Sequence, residues 1–266
     1  IELPHVILLC DDWKNELLEL ITQNKKNMLQ LYEFDLMQKG GHIAGWLVDG
    51  ELKEQFIKRL QQYEQMMAEK YKDLSEHPMY YAVGDGNHSL ATAKACYEKL
   101  KQNHQWKHVE NHLARYALVE LENLHDDSQQ FEPIHRVITG TDPQELVEAL
   151  KEQCCGQNGQ EIRCYYGNKE EVLHLNLHEH QLAVDKVQTF LDKYLIENSG
   201  VVDYIHGEDV LKKLAKQENA VGIELPAMEK DQLFPSVMTD GTLPRKTFSM
   251  GHASEKRYYI EGRAIK

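Results

Sequence analysis

The sequence predicts an α+β protein, α/β-like in its alternation, with a mixed β-sheet flanked by helices. Three observations carry that reading. Short apolar runs of strand length, such as Val6-Ile7-Leu8-Leu9-Cys10, alternate with longer stretches of helical spacing. Glycines and Asp/Asn pairs punctuate the boundaries between them. No internal repeat or low-complexity tract competes with a globular layout. The polar stretch His125-Asp126-Asp127-Ser128 divides two subregions, read as residues 1–122 and 123–266.

Composition excludes several classes. The 266-residue chain carries a formal net charge of −13, so a generic nucleic-acid partner is not expected, because phosphate backbones demand a basic surface. No apolar run reaches the ~18 residues of a membrane span, and no signal peptide is visible, so no membrane partner is expected. Cysteines 10, 96, 154, 155 and 164 form no C-x-x-C pair. That usage fits reduced thiols and a cytoplasmic location. The partner expected is a small molecule, and the oligomeric state is left open.

Taken in order, Val6–Cys10 is a buried strand ended by Asp11-Asp12, and 15–27 is a helix with Leu17, Leu18 and Ile21 inward. Residues 29–37 and 42–48 are strands joined at Gly40-Gly41. The clearest helix spans 51–74, where Leu52, Phe56, Ile57, Leu60, Tyr63, Met67 and Tyr71 hold one apolar stripe. Met66 and Met67 read as core at this spacing rather than as a soft binding surface. A strand follows at 79–83, then Gly84-Asp85-Gly86-Asn87-His88-Ser89, then a helix whose Leu90, Ala93, Tyr97 and Leu100 share a face.

A strand breaking through glycines into a helix aims free backbone N–H groups at one point, where the helix dipole adds positive potential. That corner suits a phosphate. Asp85 beside it is explained by metal binding or by proton transfer. The competing readings are a plain helix cap and an Asp-Gly hairpin, the latter disfavoured because a helix pattern follows.

Residues 115–121 read as a strand, and Phe131 to Ile138 as a Pro-interrupted edge segment bearing His135 and Arg136. Asp142-Pro143-Gln144-Glu145 opens a helix with a cap, a Pro at the first position and an acid at the third. Residues 162–166 and 172–177 form a hairpin around Gly167-Asn168. A helix at 186–196, a strand at 201–205, a helix at 208–217 and a strand at 220–225 complete the pattern. His104, His108 and His112, and separately His174, His178 and His180, have spacings that permit a metal, but solvated faces explain both sets and no metal site is assigned. Near the end, Arg245, Lys246, Lys256 and Arg257 gather among hydroxyls and glycines in an otherwise acidic chain, and 258–260 closes as a strand. That composition suits an anion, or else a terminal strand with solvated charges.

Tyr80 to Ser89 and Leu243 to Gly251, together with Glu132 to Arg136 and Val202 to Gly207, resemble bacterial proteins of domain of unknown function family 1015. Members usually carry a further N-terminal region, so the resemblance implies a chain lacking its start. The turn also looks like the Asp-Gly-His-His-Arg turn of the ParB/sulfiredoxin-like group, in which it holds nucleotide phosphates. Asp85, Gly86 and His88 keep that pattern, while Asn87 stands where His is common and Ser89 where Arg is common. Sulfiredoxin chemistry needs a cysteine in the turn, and none is present.

The resemblance implies a ParB/sulfiredoxin-like core in the first region and a C-terminal α+β region returning its basic motif to the site. It implies ATP or ADP with Mg²⁺ as cofactor, and nucleotide-dependent phosphoryl transfer to a small hydroxyl metabolite, with free L-serine the specific acceptor it adds. Asp85 and His88 are the catalytic candidates. Gly84, Gly86, Asn87, Ser89, Arg245, Lys246 and Arg136 are the phosphate- or nucleotide-binding candidates. The alternative is a non-catalytic sensor that binds nucleotide or phosphate.

Overall fold

The computed structural model describes residues 1–3, 6–102, 109–250 and 260–265. It is an α+β protein that divides into two compact units, Ile1–Gln129 with His252–Lys266, and Gln130–Gly251. The boundary thus falls just past the polar loop that the sequence marks, and the tail groups with the first unit rather than the second.

In unit 1, strand β1 (Val6–Cys10) is central. It pairs in parallel with β5 (Val119–Asn123) and antiparallel with β4 (Tyr81–Asp85). This is the mixed sheet the alternation predicts, and its central position explains the unbroken apolar run of β1. The helix expected at 15–27 is shorter. Helix α1 covers Glu19–Asn24, followed by a 3-10 turn at Lys25–Asn27. Its start is delayed because the chain leaving β1 turns first. Asn15 adopts a left-handed φ of 52°, its N–H reaches the Asp12 carbonyl at 2.9 Å, and the Leu17 N–H donates to Asp12 Oδ2 at 2.7 Å.

Strands β2 (Leu29–Asp35) and β3 (His42–Leu47) form a separate hairpin with a bulge between Gln30 and Tyr32. Helix α2 (Gly50–Lys70) buries Tyr63 and Met67, so only the C-terminal part of its apolar stripe lies in the core. Helix α3 (Asn87–Gln102) begins inside the turn, two residues before the Ser89 start that the sequence suggests. The strand expected at 115–121 starts later, because Leu113–Arg115 is a 3-10 turn capped by His112 Nδ1, which accepts the Ala114 N–H at 3.1 Å. The tail joins this unit by a two-way backbone bridge between Glu2 and Arg263.

Unit 2 is built on an antiparallel sheet ordered β11 (Phe248–Met250), β6 (Phe131–Thr139), β10 (Ala220–Glu224), β7 (Cys155–Tyr166), β8 (Lys169–Leu175), with β9 (Val201–His206) also on β6. Strand β6 is therefore interior, not an edge. Pro133 is tolerated because its stretch is registered with β11 alone, whereas Arg136 to Thr139 pair with both β9 and β10. Its missing N–H falls where no second ladder requires a donor.

Helix α4 (Pro143–Cys154) starts as its sequence dictates, with Asp142 Oδ1 accepting the Gln144 and Glu145 N–H groups at 2.8 and 3.1 Å. It packs against α5 (Ala183–Glu197) and β7. Burial of Val187, Phe190 and Leu191 on α5 contributes about 1.5–3 kcal/mol each. Helix α6 (Glu208–Leu214) covers β6, β9 and β10, where Val137, Tyr165, Ile205, Leu211 and Ala215 form one cluster. Gly222 permits this approach, since a Cβ there would lie 3.0 Å from Ala215 Cβ and Leu211 Cγ. Helix α7 (Leu233–Asp240) has no counterpart in the sequence reading. Its Pro235 sits in the first turn, where no intrahelical donor is lost.

Candidate functional site

Strand β4 runs apolar to Val83, then Gly84 and Asp85 end it half-buried. Gly86 is buried with φ of 89°, a left-handed geometry that glycine adopts without the ~1–2 kcal/mol penalty of a side chain. Its carbonyl accepts the Leu90 N–H at 2.9 Å, which makes Gly86 the cap of α3. The Asp85 carboxylate folds back, Oδ1 accepting the Gly86 N–H at 2.8 Å. Asn87, His88 and Ser89 then form the exposed first turn. Their backbone N–H groups precede the first possible intrahelical bond, and the positive end of the helix dipole lies with them. The arrangement offers anion donors and a carboxylate within one turn of chain.

Arg136, Arg245 and Lys246 belong to unit 2. Arg136 is fully buried, and its N–H groups serve the protein itself. Nε donates to Gln188 Oε1 at 2.8 Å, Nη1 to the Ile134 and Lys246 carbonyls at 2.7 and 3.1 Å, and Nη2 to the Arg245 carbonyl at 3.1 Å. The Tyr204 ring lies 4.7 Å from the guanidinium carbon. Burial draws its pKa down to about 10. The expected anion ligand is thus an anchor for the backbone of the basic segment.

Thr247 Oγ1 closes that turn by donating to the Pro244 carbonyl at 2.8 Å. Stacking of Phe248 on Phe131 at 4.3 Å fixes its far end. Lys246 takes a left-handed φ of 56°, and the side chains of both Arg245 and Lys246 are exposed, with no ion pair among the described residues. Gly251, Lys256 and Arg257 lie outside the described residues.

A cluster missed in the sequence sits at the carboxyl ends of the parallel pair β1 and β5. Asp11 and Asp12 are each only 1% exposed. Asp11 Oδ2 meets Lys70 Nζ at 2.7 Å and accepts the Tyr71 hydroxyl at 2.6 Å, and Oδ1 lies 2.6 Å from His125 Nε2. Tyr63 braces the same corner, accepting the Asp11 N–H at 2.8 Å and donating to the Tyr80 carbonyl at 2.7 Å. Asp12 Oδ1, by contrast, has no hydrogen-bond partner among the described residues. Burial, with the charge of Asp12 adding to it, pushes the Cys10 thiol up to about 12, so this cysteine is no nucleophile. The available signal was an apolar strand ending in two acids, a position where open sheets place ligands.

His178 and His180 of the second histidine set serve other contacts. Among the described residues no group of three His, Cys, Asp or Glu could hold a metal. His178 Nε2 faces Asp240 at 3.3 Å, the His180 carbonyl accepts the Ser236 hydroxyl at 2.6 Å, and His104 and His108 lie outside the described residues. No described helix is long and apolar enough to cross a membrane.

The family model described as Protein of unknown function (DUF1015) matches residues 1–194, and the chain belongs to that family. No curated protein matches it.

Proposed function

We propose that this DUF1015 protein binds nucleotide phosphate at the β4–α3 turn and transfers a phosphoryl group to a small hydroxyl metabolite. The observation that carries the reading is the Gly86 corner, which sets a carboxylate beside the free N–H groups of a helix start. Phosphoryl transfer needs positioned donors on the phosphate and a base or Mg²⁺ ligand next to them. In this reading the turn amides and His88 hold the phosphate. Asp85 takes the acceptor's proton or holds Mg²⁺, an ion that commonly uses one or two carboxylates plus phosphate oxygens. The nucleotide is ATP or ADP, and free L-serine is the acceptor that the family resemblance singles out.

A second reading has its own observation. Ser89 occupies the position where the related turn commonly carries Arg, which favours a sensor that binds phosphate without chemistry. Protein with Mg²⁺, ATP or ADP and serine, assayed for phosphoserine, separates the two. Turnover that drops by about 10²-fold in Asp85→Asn, the scale of lost acid–base catalysis, supports transfer. Nucleotide binding without phosphoserine, and unchanged in Asp85→Asn, supports the sensor.

A further inference from the structure

The Asp11 cluster contains an imidazole that is held at one ring nitrogen and open at the other. Asp11 is 1% exposed, and its Oδ1 lies 2.6 Å from His125 Nε2. Lys70 Nζ and the Tyr71 hydroxyl occupy Oδ2 at 2.7 and 2.6 Å, so the carboxylate is held against the ring. The His125 backbone is pinned as well. Its N–H donates to Asn123 Oδ1 at 3.1 Å, the Asn123 amide donates to the Asp12 carbonyl at 3.1 Å, and the Leu124 N–H reaches the Cys10 carbonyl at 2.9 Å. A carboxylate only accepts, so Nε2 carries the ring proton and Nδ1 keeps its lone pair.

His125 Nδ1 has no hydrogen-bond partner among the described residues, yet it is not shut off from water. Asp12 Oδ1 is the one buried side-chain polar atom left without a partner there, and the His125 side chain is 26% exposed. Lys70 stands on the other oxygen of the same carboxylate. Its side chain is 32% exposed, and the bond to Asp11 uses one of its three N–H donors. Trp13 is 40% exposed, with Lys70 Nζ 4.0 Å from its ring centroid. A proton acceptor, a cationic donor and an aromatic surface are thus gathered at the carboxyl ends of the parallel strands β1 and β5, where open sheets place ligands.

We propose that His125, positioned by Asp11, is a general base that drives water onto the carbonyl of a small neutral aryl ester. Nδ1 takes a proton from water as the water oxygen bonds to the carbonyl carbon. Asp11 stabilises the charge the ring gains, and a free Lys70 N–H donates to the carbonyl oxygen as it becomes negative. The ester C–O bond then breaks, the proton on Nδ1 passes to the leaving oxygen, and the ring returns unchanged. The aryl body lies against Trp13. Charge selects a neutral substrate, since Asp11 and Asp12 are buried here, Asp126 and Asp127 are exposed in the loop that follows, and Lys70 is the one cation bonded to Asp11 besides the titratable ring. The dyad is separate from the Gly86 turn. Along β1, Ile7 is in register with Asp85 and Cys10 with Tyr81, so Asp11 follows the opposite end of the strand. Loss of either proposal leaves the other standing.

The test is hydrolysis of 4-nitrophenyl acetate by the protein, with 4-nitrophenyl phosphate as the anionic comparison and free imidazole at equal concentration as the background. The expected result is saturable turnover of the acetate above that background and none of the phosphate. His125→Gln should lower kcat by about 10²-fold or more, the scale of lost general-base catalysis, while His77→Gln, at an exposed histidine outside the cluster, should change nothing. Asp11→Asn keeps a carbonyl oxygen for Lys70 and Tyr71 but turns an N–H donor toward Nε2. The ring proton should move to Nδ1, visible in the ¹⁵N shifts of the ring, and kcat should fall with KM unchanged, which a merely structural Asp11 would not produce. Trp13→Ala should raise KM by roughly threefold or more, the worth of an aromatic contact, with kcat unchanged. If Asp11→Asn fails to fold, the partly exposed His125 and Trp13 decide through their own variants. Turnover no faster than imidazole, undiminished turnover in folded His125→Gln, equal turnover of the phosphate, or an acetylated protein accumulating by mass spectrometry would overturn the proposal.

Discussion

Each unit buries a charge, and the two are treated in opposite ways. In unit 2 the Arg136 guanidinium is surrounded by a side-chain amide, three carbonyls and an aromatic face. In unit 1 the Asp12 carboxylate is buried with one oxygen, Oδ1, that finds no hydrogen-bond partner among the described residues. The units also differ in core. Among the described residues most of the buried apolar side chains belong to unit 2, while both buried carboxylates, Asp11 and Asp12, belong to unit 1. A saturated buried charge is an architectural part. An unsaturated one costs stability with no return from its own contacts.

Substitutions probe this contrast. The largest effect is expected from Arg136→Leu, which strands three carbonyls and Gln188 Oε1. It should cost unit 2 about 3–5 kcal/mol, the range for breaking a buried charged network, read by urea unfolding. Arg136→Lys should recover little, because a point charge cannot reach all four acceptors of the planar fork. A loss under about 1 kcal/mol, the worth of a single ordinary hydrogen bond, would mean the basic segment is held by other contacts.

Asp11→Ala should follow at about 2–3 kcal/mol, since it removes the acceptor of the Tyr71 hydroxyl and the carboxylate that meets Lys70 and His125. Asp12→Asn should be neutral within about 1 kcal/mol or stabilising, because it removes a buried charge that has no ion pair among the described residues. Equal destabilisation by Asp11→Ala and Asp12→Asn would erase the distinction between the two acids.

The smallest effect concerns pH. His135 is buried, and its Nδ1 accepts the Leu225 N–H at 3.1 Å. Burial chiefly, with Arg136 and His206 adding to it, lowers its pKa from 6.5. The unfolded chain therefore binds the proton more readily, so this contribution to stability is complete above the unfolded value and is lost as pH falls through the lower folded one. Unit 2 should weaken below about pH 6.5, and His135→Gln should flatten that slope in denaturation curves collected across pH. An unaltered slope would assign the acid sensitivity to other groups.

The parts of the molecule legible in the sequence are those governed by neighbouring residues. Asp142, Pro143 and Glu145 specify the start of α4 locally, Gly167 the turn between β7 and β8, and Gly86 the corner into α3. What escaped depends on partners far along the chain. Arg136 reads as a surface cation until β6 proves interior. Pro133 reads as an edge marker because single-sided pairing cannot be seen without β11. Leu233–Asp240 and Phe248–Met250 are too short to display a period. The Asp11 cluster is the clearest case, since Lys70, Tyr71 and His125 come from elements 59 to 114 residues away.

The central claim is that nucleotide phosphate sits on the β4–α3 turn. It is tested most directly by NMR of the ¹⁵N-labelled protein titrated with ATP or ADP and Mg²⁺, following the backbone amides of Gly86, Asn87, His88 and Ser89. The account predicts saturable shifts concentrated on these amides, abolished when Gly86→Val destroys the left-handed corner while the amides of unit 2 remain unchanged. Nucleotide binding that leaves the four amides unmoved, or no binding of either nucleotide, would contradict it.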